Sequence, residues 1–390
     1  TADVEFDVVD DANAVAAEVT GSNGAGDLDE ANSVVVSGGD VDTAEAAAIQ
    51  SISGYDGSAS DYDITDTAAA LISAGDGILD VDGVDVVSVA DGPTSANDGA
   101  ILAGFTADVE FDVVDDANAV AAEIAGSGFG PGGLDEAGDV VVSGGDVDTA
   151  EAADIQQVSN YNASGSDYEI SDDAVSVIGA GSSVIENDGV SRIEVEGDAT
   201  ALEGVDLNAY NANVDFDVSD TADAIATNSG SLGKAAEVFV VSGGDSVDVA
   251  EAEAIQGLAG YQTGASEYEI EDNAAALISA GDNVLTNGNI HVDVNDGAGS
   301  SVVDASDGAT LASFTADIDF DVSDTAENIA DKVSGEVYAS GADIDFRDVP
   351  FISQAVKDVI IKIYDYNLVS SNPDILSEMD ALTAGIISQQ

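Results

Sequence analysis

No cysteine occurs in the chain, so neither a disulfide framework nor thiol chemistry is open to it, which fits an extracellular or saline setting. Tryptophan is missing as well, and proline numbers only four. Six Lys and Arg stand against 79 Asp and Glu, giving a net charge of −73. That charge repels nucleic acid and anionic membrane surfaces and favours cations: salt, Ca²⁺ or Mg²⁺, or a basic partner. No run approaches the ~18 apolar residues of a membrane span, so no membrane insertion is expected. The chain opens on Thr1 without an initiator methionine, a signal peptide or a targeting motif, as expected of a processed product or a piece of a longer polypeptide.

Catalytic equipment is equally sparse. The single histidine, His291, stands among Gly- and Asn-rich turns and reads as surface decoration. No serine has a histidine partner evident in the sequence, and carboxylate pairs are too numerous for one to stand out as an acid–base couple. Ser37-Gly38-Gly39-Asp40 has the glycines of a phosphate-cradling loop but no lysine after them, so it reads as a glycine turn. The expectation is a protein that is not an enzyme.

What is present is apolar and periodic. A charge this large opposes compaction, and disorder is the first reading to weigh. Against it stand 45% apolar residues, largely β-branched and regularly spaced, and the scarcity of proline. With 5% aromatics, any core is built from Val, Ile, Leu and Ala. At 390 residues the chain has room for two or three ordinary domains, but a repeat array escapes that count.

One seven-residue phrase organises the chain. It runs Phe6-Asp7-Val8-Val9-Asp10-Asp11-Ala12 and returns from Tyr62, Phe111, Tyr168, Phe216, Tyr268 and Phe320. Each copy has an aromatic first, Val or Ile third, Asp fifth and Ala seventh, with an aliphatic three residues later, as in Val15 and Leu71. Aromatic-x-aliphatic puts two side chains on one face of a strand. The fifth-place Asp (Asp10, Asp66, Asp115, Asp172, Asp220, Asp272, Asp324) then reads as the cap of a following helix.

Larger repeats enclose these phrases. Residues 1–18 recur unchanged at 106–123, residues 34–47 at 140–153, and Phe6, Phe111, Phe216 and Phe320 are spaced by 105, 105 and 104. The expected organisation is repeat 1 (1–105), repeat 2 (106–210), repeat 3 (211–314), a partial repeat 4 (315–348) and a C-terminal capping or docking segment (349–390). Each half-repeat holds a second strand and helix. Ser33–Ser37 is a short Val-rich strand closed by Gly38-Gly39, and Asp42 to Glu45, Asp148 to Glu151 and Asp248 to Glu251 read as capping boxes.

A strand–helix unit of about 25 residues cannot close its own core, so parallel stacking under a helical cover is expected. The predicted fold class is α/β: a right-handed α/β solenoid with parallel strands. The alternative is a string of small βαβα or all-β domains.

Acids alternate with apolar residues in these strands, as Asp61 and Asp63 do around Tyr62, so carboxylates share the outer face. Neighbouring strands lie ~4.8 Å apart, where like charges repel by ~1 kcal/mol per pair even in water, so such rows require counterions. Oxygen-rich turns offer candidate ligands for a hard cation such as Ca²⁺: Asp80, Asp82 and Asp85, then Asp188, then Asp293 and Asp296. None has EF-hand spacing, and ordinary Asx and Asn-Gly turns are the other reading.

The end of the chain differs. Lys332, Arg347, Lys357 and Lys362 are four of the six basic residues, and Val349 to Tyr364 is bulkier and amphipathic. That segment is expected to dock head-to-tail on another copy or on an anchoring protein.

The phrase aromatic-x-[Ile/Val]-x-Asp-[Thr/Asp/Asn]-Ala, as in YDITDTAAAL and FDVSDTAENI, resembles tandem repeats of very large acidic bacterial surface and secreted proteins and of marine phage structural proteins. The likeness covers nearly all of residues 1–330. It implies a structural or adhesive array at a cell or virion surface and carries over no catalytic residue. The expected function is an extracellular structural repeat protein forming a filament or appendage, stabilised by salt or divalent cations. A Ca²⁺-dependent adhesin for a cell surface or glycan is the alternative, and a secreted hydrolase fragment, which would need an atypical His/acid cluster, is a third.

Overall fold

The computed structural model describes residues 5–21, 26, 28–126, 133–241, 246–296, 300–325, 328 and 332, with the backbone of 344–347. The expected docking segment 349–390 lies outside the described residues. By internal contacts the chain forms two compact units, residues 1–197 with 209–215, and residues 198–208 with 216–390.

Strands and helices alternate through the first unit. They are β1 (Asp7–Asp10), α1 (Ala12–Thr20), β2 (Ser33–Val41), α2 (Thr43–Gln50), β3 (Asp61–Asp66), α3 (Ala68–Ala74), α4 (Asp76–Leu79), β4 (Val84–Val89), α5 (Ala96–Leu102), β5 (Val109–Glu110), β6 (Val113–Asp115), α6 (Ala117–Gly126), β7 (Val140–Val147), α7 (Thr149–Ile155), β8 (Asp167–Asp172), α8 (Ala174–Ala180), α9 (Ser182–Ile185) and β9 (Val190–Ala199). Sheet order follows chain order, β1-β2-β3-β4-β5, and β6, β7, β8 and β9 likewise pair in succession. Every one of these pairings is parallel.

Next along the chain come α10 (Ala201–Ala209) and β10 (Val214–Asp220), of which Ala209, Val214 and Asp215 belong to the first unit and the rest to the second; the second unit then holds α11 (Ala222–Asn228), β11 (Val238–Val240), α12 (Val249–Gln256), β12 (Glu267–Asp272), α13 (Ala274–Ala280), α14 (Asp282–Leu285), β13 (Asn289–Val294), β14 (Val302–Val303), α15 (Ala305–Leu311), β15 (Ile318–Asp319), β16 (Asp321–Thr325) and β17 (Ile344–Arg347). Its pairings, β10 with β11, β12-β13-β15 and β14-β16-β17, are parallel too. The fold is thus α/β with parallel sheets and alternating strand–helix units.

The aromatic that opens each phrase enters the core in six of seven places: Tyr62, Phe111, Tyr168, Phe216, Tyr268 and Phe320 are buried, while Phe6 is 38% exposed. Each buried ring is met by the helix that precedes it. Gln50 at the end of α2 donates from Nε2 to the Tyr62 hydroxyl at 2.9 Å, as Gln156 and Gln256 do to Tyr168 and Tyr268 at 2.8 Å. At the phenylalanines the preceding helix carries a glycine instead. A Cβ on Gly99, Gly204 or Gly308 would lie 3.1, 3.4 or 3.3 Å from the ring of Phe111, Phe216 or Phe320.

Two local expectations require correction. The strand expected to stop at Gly38-Gly39 runs on to Val41. Both glycines have positive φ (73° and 104°), and the register with β3 shifts between Ser37 and Asp40, so they form a bulge after which pairing resumes. Gly144 and Gly145 do the same in β7. The bulge turns the backbone toward the helix layer: a Cβ on Gly145 would come within 3.1 Å of the Ala117 nitrogen.

The fifth-place Asp, expected to cap the following helix, instead ends its strand. The cap is the next residue, whose side chain accepts the N–H three positions on: Asp11, Thr67, Asp116, Asp173, Thr221 and Asn273. The fifth-place carboxylate accepts that residue's own N–H and turns its second oxygen to the start of the preceding helix. There Asp66, Asp115, Asp172, Asp220, Asp272 and Asp324 accept the N–H of Thr43, Ala96, Thr149, Ala201, Val249 and Ala305 at 3.0–3.2 Å. Each of these helices therefore has its first N–H held by a strand later in the chain, the next one for α2, α7, α10 and α12 and the next but one for α5 and α15. The three expected capping boxes, at Asp42, Asp148 and Asp248, all form.

Candidate functional site

The outer sheet face is built by the alternation that builds the core. In β3, β8 and β12 the buried Tyr is followed by a half-buried acid, Asp63, Glu169 or Glu269. Parallel register sets acids of neighbouring strands opposite one another: Asp40 with Asp63, Asp146 with Glu169, and Glu271 with Asp293, which in turn faces Asp319. Rows of carboxylates at interstrand spacing repel unless positive charge lies among them.

In the first unit that charge is Arg192, on β9. Its guanidinium spans three strands, with Nη1 3.5 Å from Glu169 and 3.0 Å from Glu194 and Nη2 2.7 Å from Asp215. The Asp215 hydrogen bond leads in raising the Arg192 pKa above its ordinary value, with the fields of all three carboxylates adding to it. Beside it lies an open groove of about 540 Å³ lined by Asp146, Glu169, Ser171 and Glu194 among others.

In the second unit the same register position holds His291. Arg192 faces Glu169 and its neighbour Ile193 faces Ile170; His291 faces Glu269 and its neighbour Val292 faces Ile270. The His291 Nε2 lies 3.4 Å from Asp293 Oδ1 and 3.6 Å from Asp319 Oδ2, with the imidazole 53% exposed. One donor atom from each of His291, Asp293 and Asp319 lies within 4.8 Å of the other two, and no other such group of three His, Asp or Glu occurs among the described residues. A hydrogen bond shared with Asp293 pushes the Glu269 carboxyl up, and partial burial adds to it. The acids here are crowded, and a groove of about 400 Å³ beside them is lined by Glu271, Asp293, Asp319 and Asp321.

Of the ligands expected from sequence, only Asp293 enters this cluster. Asp80 caps the end of α4, Asp82 accepts the Tyr55 hydroxyl on its carbonyl at 2.9 Å, Asp85 lies in β4, and all three are exposed. Asp188 is exposed in the turn before β9. Asp296 accepts the first N–H of α13 at 3.3 Å, a helix-start contact. His291 and Asp319 escaped the sequence reading because they lie 28 positions apart on neighbouring strands. Only the recurrence of Phe320 and Tyr268 at homologous places, each flanked by acids, could have indicated that they meet.

No helix among the described residues is long and apolar enough to cross a membrane. Compared with known protein families and with curated proteins, the chain matches none.

Proposed function

We propose that this is a non-enzymatic structural repeat protein of an extracellular filament or of a cell- or virion-surface appendage, its strand–helix units stacking as a right-handed α/β solenoid stabilised by salt or divalent cations. The observation that carries the reading is the fifth-place aspartate. Six of these residues tie the end of one strand to the start of the helix before it, 19 or 23 residues back. Each tie joins successive units, which is how a stack grows by addition without a closing contact. The pairing of β1 to β5 and of β6 to β9 in chain order supports the same plan. The Arg192 position belongs to it as well: Arg192 has no acid–base function at neutral pH, so its place among Glu169, Glu194 and Asp215 is that of a fixed positive charge.

Small-angle scattering from the full chain tests the stack. A narrow cross-section peak with a long tail in the pair-distance distribution is expected; a symmetric bell overturns it. Assembly through residues 349–390 is part of the proposal. Deleting that segment abolishes filaments in sedimentation and electron microscopy, and undiminished filaments shift the assembly role to the acidic faces.

A further inference from the structure

We propose that His291, Asp293 and Asp319 bind a divalent transition-metal cation of the Zn²⁺ class, which takes the charge-neutralising place that the Arg192 guanidinium holds in the first unit. The geometry is close to that of a bound site. In a tetrahedral zinc centre, bonds of about 2.0–2.2 Å put neighbouring ligand atoms about 3.3–3.6 Å apart. Here the imidazole nitrogen already lies 3.4 and 3.6 Å from the two carboxylate oxygens. The ligands stand on the adjacent parallel strands β13 and β15, whose register sets Asp293 directly opposite Asp319. Glu269, opposite His291 on β12, or water supplies the fourth donor.

The donor set selects the metal. Ca²⁺ and Mg²⁺ take oxygen ligands, whereas an imidazole among carboxylates suits Zn²⁺ and its neighbours. The hard-cation expectation drawn from the oxygen-rich turns is thereby replaced, at this one place, by a borderline-soft ion. Arg192 is the independent observation. At the matching register of a matching strand, three carboxylates converge on a permanent cation within 2.7–3.5 Å. The second unit presents the same convergence to an imidazole, a common metal ligand.

The chain has one histidine and no cysteine, so imidazole NMR resonances report on this site alone against a background of 79 acids. The experiment is a titration of the full chain with ZnCl₂ and, in parallel, with CaCl₂. The His291 resonances are expected to shift with Zn²⁺ and saturate near one equivalent, while a tenfold excess of Ca²⁺ leaves them in place. Asp293→Asn and Asp319→Asn, both at partly exposed positions, each weaken the Zn²⁺ response at least about tenfold. In Arg192→His, the added imidazole responds to Zn²⁺ as His291 does. A His291 signal unmoved by Zn²⁺, or moved equally in the Asp293→Asn/Asp319→Asn double variant, overturns the site. An added imidazole at 192 that ignores Zn²⁺ overturns its equivalence to Arg192. None of these failures touches the scattering profile on which the proposed stack rests.

Discussion

Asp66 holds the start of a helix it does not belong to: its Oδ2 accepts the Thr43 hydroxyl at 2.7 Å and the Thr43 N–H at 3.1 Å. Asp172 and Thr149 repeat the arrangement at the same distances. An N-terminal helix N–H has no partner within its own helix, and here a carboxylate from the next strand supplies one. The contact satisfies a backbone donor, neutralises part of the helix dipole and fixes the spacing of two successive units at once.

Removing that carboxylate therefore costs more than a surface change. Asp172→Ala is expected to destabilise the chain by about 1–2 kcal/mol, read from denaturant unfolding, and Asp173→Ala by about 1 kcal/mol as an ordinary lost cap. Partial burial pushes the Asp66 and Asp172 carboxyls up, but the hydrogen bonds from Thr43 and Thr67, and from Thr149, Asp173 and Ser176, outweigh it and hold both below the usual value. The folded carboxyls thus lose their protons more readily than the unfolded ones. The stability they contribute is complete above the unfolded value of about 3.9 and is lost as pH falls through the lower folded values. Asp172→Asn should flatten that acid limb; an unchanged acid limb would count against the assignment.

The buried tyrosines set the alkaline behaviour. Burial pushes the Tyr55, Tyr168 and Tyr268 hydroxyls up, with the neighbouring tyrosine of each pair adding to it. These groups stay protonated in the fold after they would ionise in the unfolded chain. Stability is therefore full below about pH 10 and declines as pH rises toward the folded values. Absorbance titration of tyrosinate should show fewer than the chain's ten tyrosines ionising near their ordinary value before unfolding. Gln156→Ala, which strips the Tyr168 hydroxyl and the Val184 carbonyl of their shared donor, should cost about 1–3 kcal/mol.

Gly204 distinguishes packing from propensity. Alanine at a helix interior normally gains about 1 kcal/mol over glycine. A Cβ here would meet Leu232 at 2.8 Å, Val218 at 2.9 Å and the Phe216 ring at 3.4 Å. Gly204→Ala is expected to destabilise by about 1–2 kcal/mol net, because overpacking a filled core outweighs the gain. A stabilised variant in thermal unfolding would refute the close approach of α10 to Phe216.

Net charge of −73 makes salt a stabiliser. Raising NaCl from about 10 mM to about 1 M shortens the screening length from about 30 Å to about 3 Å, and Tm should rise by on the order of 10 °C. Arg192→Met should lower Tm more at low salt than at high, since Glu169, Glu194 and Asp215 then face one another without a cation. A Tm independent of salt would show that the outer-face repulsion is already balanced.

Periodicity alone determined much of this protein. Aromatic-x-aliphatic and its alternating acids dictate which face of each strand is apolar, because side chains alternate along an extended backbone. Asp followed three residues later by Glu likewise dictates a helix start, because both hydrogen bonds of a capping box are local. Three things were decided only by tertiary structure. Whether a phrase opens with Phe or Tyr matters through the helix packed on it, glycine for one ring and glutamine for the other, in contacts 12 residues apart. The fifth-place Asp looks like a cap in one dimension and is instead a tie to a helix some 20 residues earlier, a partner that exists only once parallel strands are in register. His291 reads as an isolated histidine until register brings Asp319 beside it, since neighbours across a parallel sheet are separated in sequence by an entire crossover.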